Sequence, residues 1–347
     1  MKLSLKINFI TITIIAFFII IFNTGFIYIQ NIDDNCNIEH LCFNTLIAFP
    51  EKLKNTNNLL KNDYEKSKIT PYEFLGILNE LYNNNYTLIN IDEVYKIDNN
   101  KIEKKTLKLN NKKPLILSFN NVTYKSNYQN LGDIDKIILD RNNKLATYTT
   151  KKSIQDRIQY DNEFIVILEN FIKEHPDFSH NNARAIIFFT GENGILGYNT
   201  NHKNAQHKFE TKRATKVVEK LKSLGYKFGC NGYKFSPSNN LSDMELTKEL
   251  TLWKQEILPI INSTNLFASY QNNINFNDTQ IDILLNNGFN VLFTFDVNSN
   301  FKTNNNIITL TRRLINGETL RNNSPELSHL FNCEKIYDHT NRQIPFI

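Results

Sequence analysis

The sequence predicts an α/β protein that forms a parallel (β/α) barrel of seven strands, distorted or incomplete, after an N-terminal hydrophobic helix. Seven or eight apolar segments of strand length alternate with segments of helical apolar spacing, an order typical of parallel α/β folds. Helix-start signals precede several helical segments, and polar residues follow the apolar ones. Such folds carry their working residues at the carboxyl ends of strands, so these polar residues indicate where function would reside.

In the first half of the chain, a capping signal places a helix between two predicted strands. Thr70 and Glu73 have the spacing of a capping box, and Pro71 lies at the first helical position. A second helix is predicted around Asn162–Lys173 from its apolar spacing. The predicted strands of this half are Leu41–Phe49, Tyr86–Ile91, Leu115–Phe119 and Arg184–Thr190.

The second half repeats the alternation. A helix carrying Val217 and Leu221 is predicted to end at Gly225, and a later helix is predicted to end at Gly288. Between them, Ser242-Asp-Met-Glu245 has the pattern of another capping box. Trp253 belongs to the apolar stripe of that capped helix, so we interpret it as a core residue rather than a ligand platform. The predicted strands are Tyr226–Phe228, Asn265–Ser269, Val291–Phe295 and Ile307–Leu310.

The N-terminal segment has the composition of a membrane anchor. Lys2 and Lys6 precede an apolar run from Ile7 to Ile29, and a spanning helix needs about 20 residues. No small-x-small cleavage site follows Phe22, which favours an uncleaved anchor over a removed signal peptide. The lysines predict a cytoplasmic N-terminus and an extracytoplasmic domain. We therefore expect a single-pass protein of the cell membrane, secreted if the segment is cleaved: residues 1–30 as anchor or signal, 31–39 as tether and 40–347 as the domain.

Charge and cysteine content exclude some partners and leave others open. The chain has 40 Lys and Arg against 35 Asp and Glu, a net charge of +5, with the basic residues spread along it. This distribution gives no nucleic-acid footprint. The four cysteines match no zinc or redox spacing; we interpret them as unpaired buried thiols, with a disulfide as the alternative that an exported domain permits. They are Cys36, Cys42, Cys230 and Cys333.

The candidate site residues are those that follow predicted strands. Asn120 and Asn121 come directly after the apolar segment Leu115–Phe119. A neutral amide cannot accept the proton in general-base catalysis, and zinc prefers nitrogen, sulfur or carboxylate ligands; turn-capping amides are the alternative interpretation. Asn231 and Phe235 stand four apart, at the spacing of two metal-binding histidines, but phenylalanine has no ligand atom. The remaining candidates at strand ends are Asn44, Tyr270, Asp296, Arg312 and Arg313.

Several stretches resemble the polysaccharide deacetylase family, carbohydrate esterase family four with its NodB-homology domain, and within it an exported Gram-positive branch. The resemblance runs from about His40 to Pro345. It implies a deacetylase-type (β/α) barrel. The stretches that carry it are His40–Ala48, Glu73–Tyr82, Lys113–Tyr124, Glu174–His180, Thr190–Tyr198 and Thr311–Gly317.

The resemblance implies a zinc-type metal centre in active members. There, the first aspartate of a paired motif is the general base, and the second binds the metal together with two histidines four apart. The base position here is Asn120, and the metal positions are Asn121, Asn231 and Phe235. Asn44 stands where the branch usually has another histidine, and the arginine-containing loop of the family is reduced to Ala268–Gln271. With the base and all three ligands replaced, we expect no metal and no hydrolysis.

Three hypotheses of function follow. The first is a membrane-anchored pseudoenzyme that binds cell-wall or exopolysaccharide glycan through Tyr198, Tyr233 and Tyr270. The second is a divergent deacetylase that cleaves the amide bond of N-acetyl sugars with zinc or another divalent metal, using Asp296 with His202 or His207. These two histidines are five apart and do not share a helical face, so solvated loop histidines are the simpler interpretation. The third is a structural envelope partner without glycan affinity.

Overall fold

The computed structural model describes the chain from residue 38 to residue 346, apart from several short stretches. The described ranges are 38–55, 59–98, 101–234, 241–272, 276–296, 301–304, 306–342 and residue 346. The anchor segment 1–30, most of the 31–39 tether, Cys36 and Phe235 therefore lie outside the described residues. In the part that the structure describes, no helix is long and apolar enough to cross a membrane.

Strands and helices alternate through most of the chain. The strands are β1 Glu39–Phe43, β2 Tyr86–Leu88, β3 Tyr95–Asp98, β4 Lys101–Lys104, β5 Lys113–Phe119, β6 Lys136–Leu139, β7 Leu145–Tyr148, β8 Ile158–Gln159, β9 Ile186–Phe189, β10 Lys227–Cys230, β11 Leu266–Asn272, β12 Val291–Phe295, β13 Phe301–Asn304 and β14 Ile307–Leu314. The α-helices are α1 Leu59–Ser67, α2 Pro71–Asn83, α3 Phe164–Glu174, α4 His207–Leu224, α5 Asp243–Glu256, α6 Leu258–Ile261, α7 Asp278–Asn286, α8 Gly317–Arg321 and α9 Cys333–Ile336. Short 3-10 helices occupy Pro50–Asn55, Ile91–Glu93, Ser126–Tyr128, Ile154–Asp156, Pro176–Phe178, His180–Asn182 and Pro325–Leu327.

Seven parallel strands form a closed barrel. The order is β1, β14, β12, β11, β10, β9 and β5, and β5 then pairs with β1 to complete the ring. Leu41 pairs with Arg313 on one side and with Leu117 on the other. The prediction of a parallel (β/α) barrel is therefore confirmed, and the alternative of an incomplete barrel is replaced by a closed one.

Two further strands and two small sheets lie outside the seven-stranded ring. The strand β2 pairs with the start of β5 outside the ring, and β13 forms an antiparallel pair with β14. The strands β3 and β4 form a two-stranded sheet, while β6, β7 and β8 form a three-stranded antiparallel sheet. The sequence analysis assigned no strands to these two small sheets, because their segments are short and rich in polar residues.

The barrel interior is filled with aliphatic and aromatic side chains. Phe188 and Phe293 lie 5.2 Å apart inside it. A Cβ atom on Gly229 would lie 2.3 Å from the Phe188 ring, so this position in β10 must be glycine for that ring to fill the centre. His40 is also buried there, with a ring nitrogen 2.9 Å from the Ser118 hydroxyl. Other members of this cluster are Ile116, Ile186, Leu266, Ala268, Val291, Ile308 and Leu310.

The helix predictions within residues 40–347 are confirmed with small changes of boundary. Thr70 and Glu73 form the expected capping box at the start of α2, and Ser242 and Glu245 form the one at α5. Gly225 ends α4 with a φ of 108°, a left-handed conformation that favours glycine. Trp253 is fully buried and donates a hydrogen bond from Nε1 to the Phe189 carbonyl at 2.8 Å. It is a core residue, as expected.

The first strand is shorter than predicted. We expected Leu41–Phe49, but β1 ends at Phe43. The amides of Ile47 and Phe49 donate to the carbonyls of Ile69 and Gly132 instead of to neighbouring strands. The apolar side chains after Phe43 are nevertheless buried, which explains why their density resembled a strand. Cys42, Cys230 and Cys333 are buried and unpaired, in agreement with the sequence interpretation.

Candidate functional site

The carboxyl ends of the barrel strands bring most of the predicted positions to one end of the molecule. Asn44 follows β1, Asn120 and Asn121 follow β5, and Asn231 follows β10. Arg312 lies in the second half of β14, next to these ends. Parallel strands in a closed ring present their carboxyl ends on the same side, so positions distant in sequence meet there.

Arg312 is the central charge of this site. It is fully buried, and its guanidinium lies 4.5 Å from the centre of the Phe295 ring and 5.1 Å from that of Phe188. Nη2 donates to the Ser269 carbonyl at 3.1 Å. Because a guanidinium stays protonated at all ordinary pH values, the barrel holds a permanent positive charge beneath its carboxyl end. Burial and this charge lower the pKa of His40 well below its usual value.

Arg312 fixes the orientation of Asn120. Nη1 of Arg312 donates to Oδ1 of Asn120 at 2.9 Å and lies 3.3 Å from the Cys42 sulfur. A guanidinium has no acceptor, so the amide must turn its oxygen towards Arg312 and its NH2 group away from it. No described residue accepts a hydrogen bond from the Asn120 NH2 group. The position that the resemblance assigns to a general base therefore holds a hydrogen-bond donor.

Asn121 and Asn231 are also held by protein contacts. Oδ1 of Asn121 lies 3.1 Å from the Thr190 hydroxyl and 3.3 Å from that of Thr123. Asn121 has a φ of 52°, in the left-handed region that asparagine tolerates better than most residues. Nδ2 of buried Asn231 donates to the Ala268 carbonyl at 2.8 Å, whereas its Oδ1 has no hydrogen-bond partner among the described residues.

The residues at these positions do not fit a catalytic zinc ion. Zinc sites use thiolate, imidazole or carboxylate ligands, and the described positions here supply neutral amides. The fixed guanidinium of Arg312, 2.9 Å from the Asn120 oxygen, would also repel a divalent cation bound beside it. Among the described ranges, no group of three His, Cys, Asp or Glu residues is arranged to hold a metal ion.

A cavity of about 280 Å³ adjoins Asn120 and Asn121. Its wall combines amides, tyrosines and charged side chains. A second cavity of about 580 Å³ shares the wall segment 123–125 with it and is lined mainly by polar residues of the β5 and β9 loops. The first cavity is lined by Asn44, Thr45, Leu60, Asp63, Tyr64, Ser67, Lys68, Asn120, Asn121, Thr123, Tyr124, Lys125, Tyr128 and Asp133.

A buried ion pair supports the floor of the smaller cavity. The Lys68 ammonium contacts the Asp133 carboxylate, which also accepts a hydrogen bond from the Tyr64 hydroxyl at 2.6 Å. The same ammonium lies 4.7 Å from the centre of the Tyr64 ring and 5.6 Å from that of Tyr128. The two rings are 5.4 Å apart. Tyr64 is buried and Tyr128 is half-buried, so Tyr128 is the ring that a ligand can reach.

Two of the three tyrosines expected to contact glycan are buried. Tyr198 is only 2% exposed and lies beneath the Lys136 ammonium, 4.8 Å from its ring centre; burial raises the pKa of its hydroxyl to about 12. Tyr233 is 6% exposed, and its hydroxyl accepts a hydrogen bond from Asn201. Neither offers a ring face for a sugar. Tyr270 lies in β11, and its side chain is outside the described part of the structure.

Arg312 and Arg313 point to opposite sides of β14. Arg313 donates from Nε to Glu39 at 2.9 Å, and the His329 ring lies 3.2 Å from the same carboxylate. Arg313 therefore faces away from the barrel interior and pairs with Glu39. Asp296 follows β12 and is exposed; its amide donates to the Arg312 carbonyl at 3.1 Å.

His202 and His207 are closer than their sequence spacing suggested. Their rings are 5.3 Å apart, and His202 lies 3.9 Å from Glu256. His202 belongs to the loop after β9, and His207 begins α4. His202 is exposed, in agreement with a solvated loop histidine, and its ring lies near that of His207 because the loop folds back onto the helix.

Sequence reasoning missed the residues that shape the cavity. Lys68 and Asp133 are 65 positions apart, and Asn120 and Arg312 are 192 apart. Tyr64 and Lys68 are spaced by four, which is a helical signal, but nothing in either segment identifies the partner. Thr190 was part of a recognised stretch without an assigned role.

No protein-family profile and no curated protein sequence matches the chain. The structure is similar to a deacetylase of Streptococcus pyogenes, PplD, solved in complex with acetate: 16% identity, 85% of this chain, 98% of that chain and a TM-score of 0.48. It is similar to a de-N-acetylase from Aggregatibacter actinomycetemcomitans, at 12% identity, 85% and 100% coverage and a TM-score of 0.44. A mutant of BA3943, described as a CE4 family pseudoenzyme with restored enzymatic activity, matches 36% of this chain and 37% of its own, at 16% identity and a TM-score of 0.25.

Proposed function

We propose that this chain is a polysaccharide-deacetylase-like protein of the cell envelope that binds glycan without hydrolysing it. The observation that carries the proposal is the bond from Arg312 to Asn120 at 2.9 Å. It turns an amide donor, rather than a carboxylate base, towards the position where a deacetylase would need to activate water. Asn121 and Asn231 supply amides at the other described positions of the site.

The adjoining cavities support binding. Together they extend from the β1 loop across segment 123–125 to the β9 loop, and both are lined largely by polar side chains. A chain of sugars presents hydroxyl and acyl groups at regular intervals, and such a groove can satisfy them with hydrogen bonds. Hydrophobic Leu60 and the tyrosines of the smaller cavity add apolar surface. Polar groups that fix orientation, set in partly apolar walls, are typical of small-molecule sites.

Location in the envelope is part of the proposal. It is supported by the apolar run from Ile7 to Ile29 and by Lys2 and Lys6 before it. Protease protection in intact cells tests this directly: a tag after Ile347 should be digested from outside, whereas a tag before Met1 should be protected. The reverse pattern would remove the envelope location.

Metal content and acetate release test the loss of hydrolysis. We expect the purified full-length chain to contain less than about 0.1 equivalent of zinc, nickel or cobalt and to release no acetate from acetylated glucosamine oligomers, since a metal-bound water needs a ligand set. Stoichiometric metal with acetate release would establish the divergent deacetylase instead. Loss of that activity in Asp296→Ala, His202→Ala or His207→Ala would then assign it.

Retention on polysaccharide tests binding. We expect the full-length chain to sediment with insoluble cell-wall polysaccharide and to be displaced by soluble oligomers of the same sugar. A heat-unfolded sample serves as the control for non-specific adsorption. Absence of any retention, together with absence of acetate release, would leave the structural envelope partner as the remaining hypothesis.

A further inference from the structure

We propose that Asn120, oriented by Arg312, selects glycans by donating a hydrogen bond to an acceptor oxygen on a sugar substituent, such as an acyl carbonyl or a carboxylate. This inference rests on the proposed glycan binding and assigns its specificity. The site would accept acetylated or acidic sugars and disfavour amino sugars. The donating group is the NH2 of Asn120, and the smaller cavity is the sugar pocket.

The orientation of the Asn120 amide follows from its partners. The two ends of an asparagine amide have nearly the same shape, so hydrogen bonding decides which atom points where. Arg312 can only donate, and it approaches Oδ1 at 2.9 Å. Rotating the amide would place NH2 against the guanidinium, where two donors would face each other. Asn120 lines the cavity, so its remaining donor is the group that the site offers to a ligand.

Charge in the pocket acts in the same direction. The permanent charge of Arg312 lies directly behind Asn120. The charged residues of the wall balance in sign, because Lys68 pairs with Asp133 and the wall carries Asp63 as well as Lys125. An ammonium group on the sugar would meet the Asn120 donor and the positive charge behind it. An acceptor oxygen would be stabilised by both.

Tyr128 provides the apolar side of the pocket. Its ring is half-buried and is supported by Tyr64 at 5.4 Å and by Lys68 at 5.6 Å. A fixed, partly exposed ring offers an apolar face to the C–H groups of a sugar with little loss of conformational entropy. Tyr128 therefore contributes affinity for the sugar ring, whereas Asn120 selects the substituent.

The deciding experiment measures the affinity of the full-length chain for four oligomers of equal length: N-acetylglucosamine, glucosamine, glucose and a uronic acid. We expect the acetylated or the acidic oligomer to bind at least about tenfold more tightly than the glucosamine oligomer. Comparison of the N-acetylglucosamine oligomer with the uronic acid oligomer shows whether the natural acceptor is an acyl carbonyl or a carboxylate. In Asn120→Asp, the carboxylate retains the bond from Arg312 but presents acceptors to the cavity, so this preference should be lost or inverted.

Two further variants separate selectivity from affinity. Tyr128→Ala should weaken binding of all bound oligomers about tenfold and leave their ratio unchanged. Tyr72→Ala is the matched control, because Tyr72 is 61% exposed on α2 and does not line the cavity; its binding should equal that of the unmodified chain. Thermal unfolding of each variant verifies that it is folded.

The possible results distinguish the two proposals. Glycan binding with the same preference in the unmodified chain and in Asn120→Asp would overturn the role of Asn120 and leave glycan binding intact. A preference for the glucosamine oligomer in the unmodified chain would overturn it as well. Binding of no oligomer would overturn both proposals.

Discussion

At the scale of single residues, Glu163 is the most perturbed acid of the described site region. It caps the start of α3, where Oε1 accepts from the Phe164 amide at 2.8 Å and from the Leu46 amide at 3.2 Å. It is fully buried, and burial raises its pKa from 4.5 to about 8, against the opposing effects of these amides and Lys68. Burial thus favours the protonated form of the Glu163 carboxyl in the folded protein near neutral pH.

This shift predicts a pH-dependent stability. Between pH 4.5 and about pH 8 the folded state holds a proton on Glu163 that the unfolded state has released, so the free energy of unfolding should fall as pH rises through this window. Glu163→Gln should remove this part of the dependence. We expect the urea midpoint to decrease between pH 6.5 and pH 8.5 in the unmodified chain and to decrease less in the variant.

His40 affects the pH dependence of stability in the opposite direction. Its lowered pKa means that the unfolded state binds protons more readily below about pH 6.5, so His40 makes stability fall as pH decreases. The His40 contribution is half lost at pH 6.5 and small above about pH 7.5, and it is the same in the unmodified chain and in Glu163→Gln. Equal slopes in the unmodified chain and in Glu163→Gln between pH 6.5 and pH 8.5 would contradict the assignment to Glu163.

At this scale the sequence indicated which residues follow strands, but not what they contact. Asn120 and Asn121 were predicted at the carboxyl end of a strand because strand-end position is a local property. The partner of Asn120 is 192 positions away, and the Lys68–Asp133 pair likewise joins distant segments. Hydrogen-bond partners across a barrel depend on how all strands register, which local patterns do not specify.

At the scale of elements, the C-terminal segment is attached to the first turn of α2 by a buried ion pair. Arg342 donates to both oxygens of Glu73, at 2.9 Å from Nε and 2.6 Å from Nη2. Arg342 also donates to the carbonyls of Glu65 and Lys68. The end of the chain therefore supports the segment that carries Lys68 into the cavity.

Removal of Arg342 should lower the free energy of unfolding. In Arg342→Met the buried Glu73 carboxylate loses its counter-charge, and we expect a loss of about 3–5 kcal/mol in the free energy of unfolding. Glu73→Gln in the same chain should recover part of this loss, because the unpaired charge is removed. Urea unfolding of both single variants and the double variant measures the coupling.

Lys335→Met provides the matched control. Lys335 also pairs with a glutamate of α2, Glu80, but its side chain is 68% exposed. Exposed pairs contribute about 0–1 kcal/mol, so this variant should unfold close to the unmodified chain. Similar losses for Arg342→Met and Lys335→Met would show that burial is not what gives the Glu73 pair its strength.

Element types were predictable where one signal dominated. The capping boxes at Thr70 and Ser242 and the helix end at Gly225 were read correctly because each depends on a few adjacent residues. The extension of β1 beyond Phe43 was not correct, since apolar density reports burial and not backbone pairing. The segments that form the small sheets β3–β4 and β6–β8 show no clear alternation of apolar and polar residues.

At the scale of the whole molecule, closure of the barrel distinguishes ring strands from added ones. Each ring strand is paired on both sides, whereas β13 is paired only with β14 among the described strands. Alternation of strands and helices predicted the architecture, but closure depends on β1 meeting both β5 and β14. That contact joins segments that are far apart in the sequence, so no local sequence pattern predicts it.

Closure predicts a pattern of amide hydrogen exchange. The amides of β1, β5 and β14 that pair within the ring should exchange together, with the free energy of global unfolding, since opening one of these strands opens the barrel. The amides of β3, β4 and β13 should exchange faster, through local opening. Exchange of β1 at the rate of β13 would indicate that the ring opens independently at the β1–β14 junction.

The same junction constrains the order in which the chain can fold. Cys42 and Arg312, which meet across it, are 270 positions apart, so β1 has only β5 to pair with until β14 has been synthesised. Contacts of such high sequence separation slow folding, because loop entropy is lost before the contact forms. During synthesis the free side of β1 would be an unpaired strand edge that can pair with other chains. We therefore expect refolding from urea to include a slow phase in which β1 pairs with β14. During synthesis, a chain that has not completed this step should depend on chaperones that bind unfolded chains.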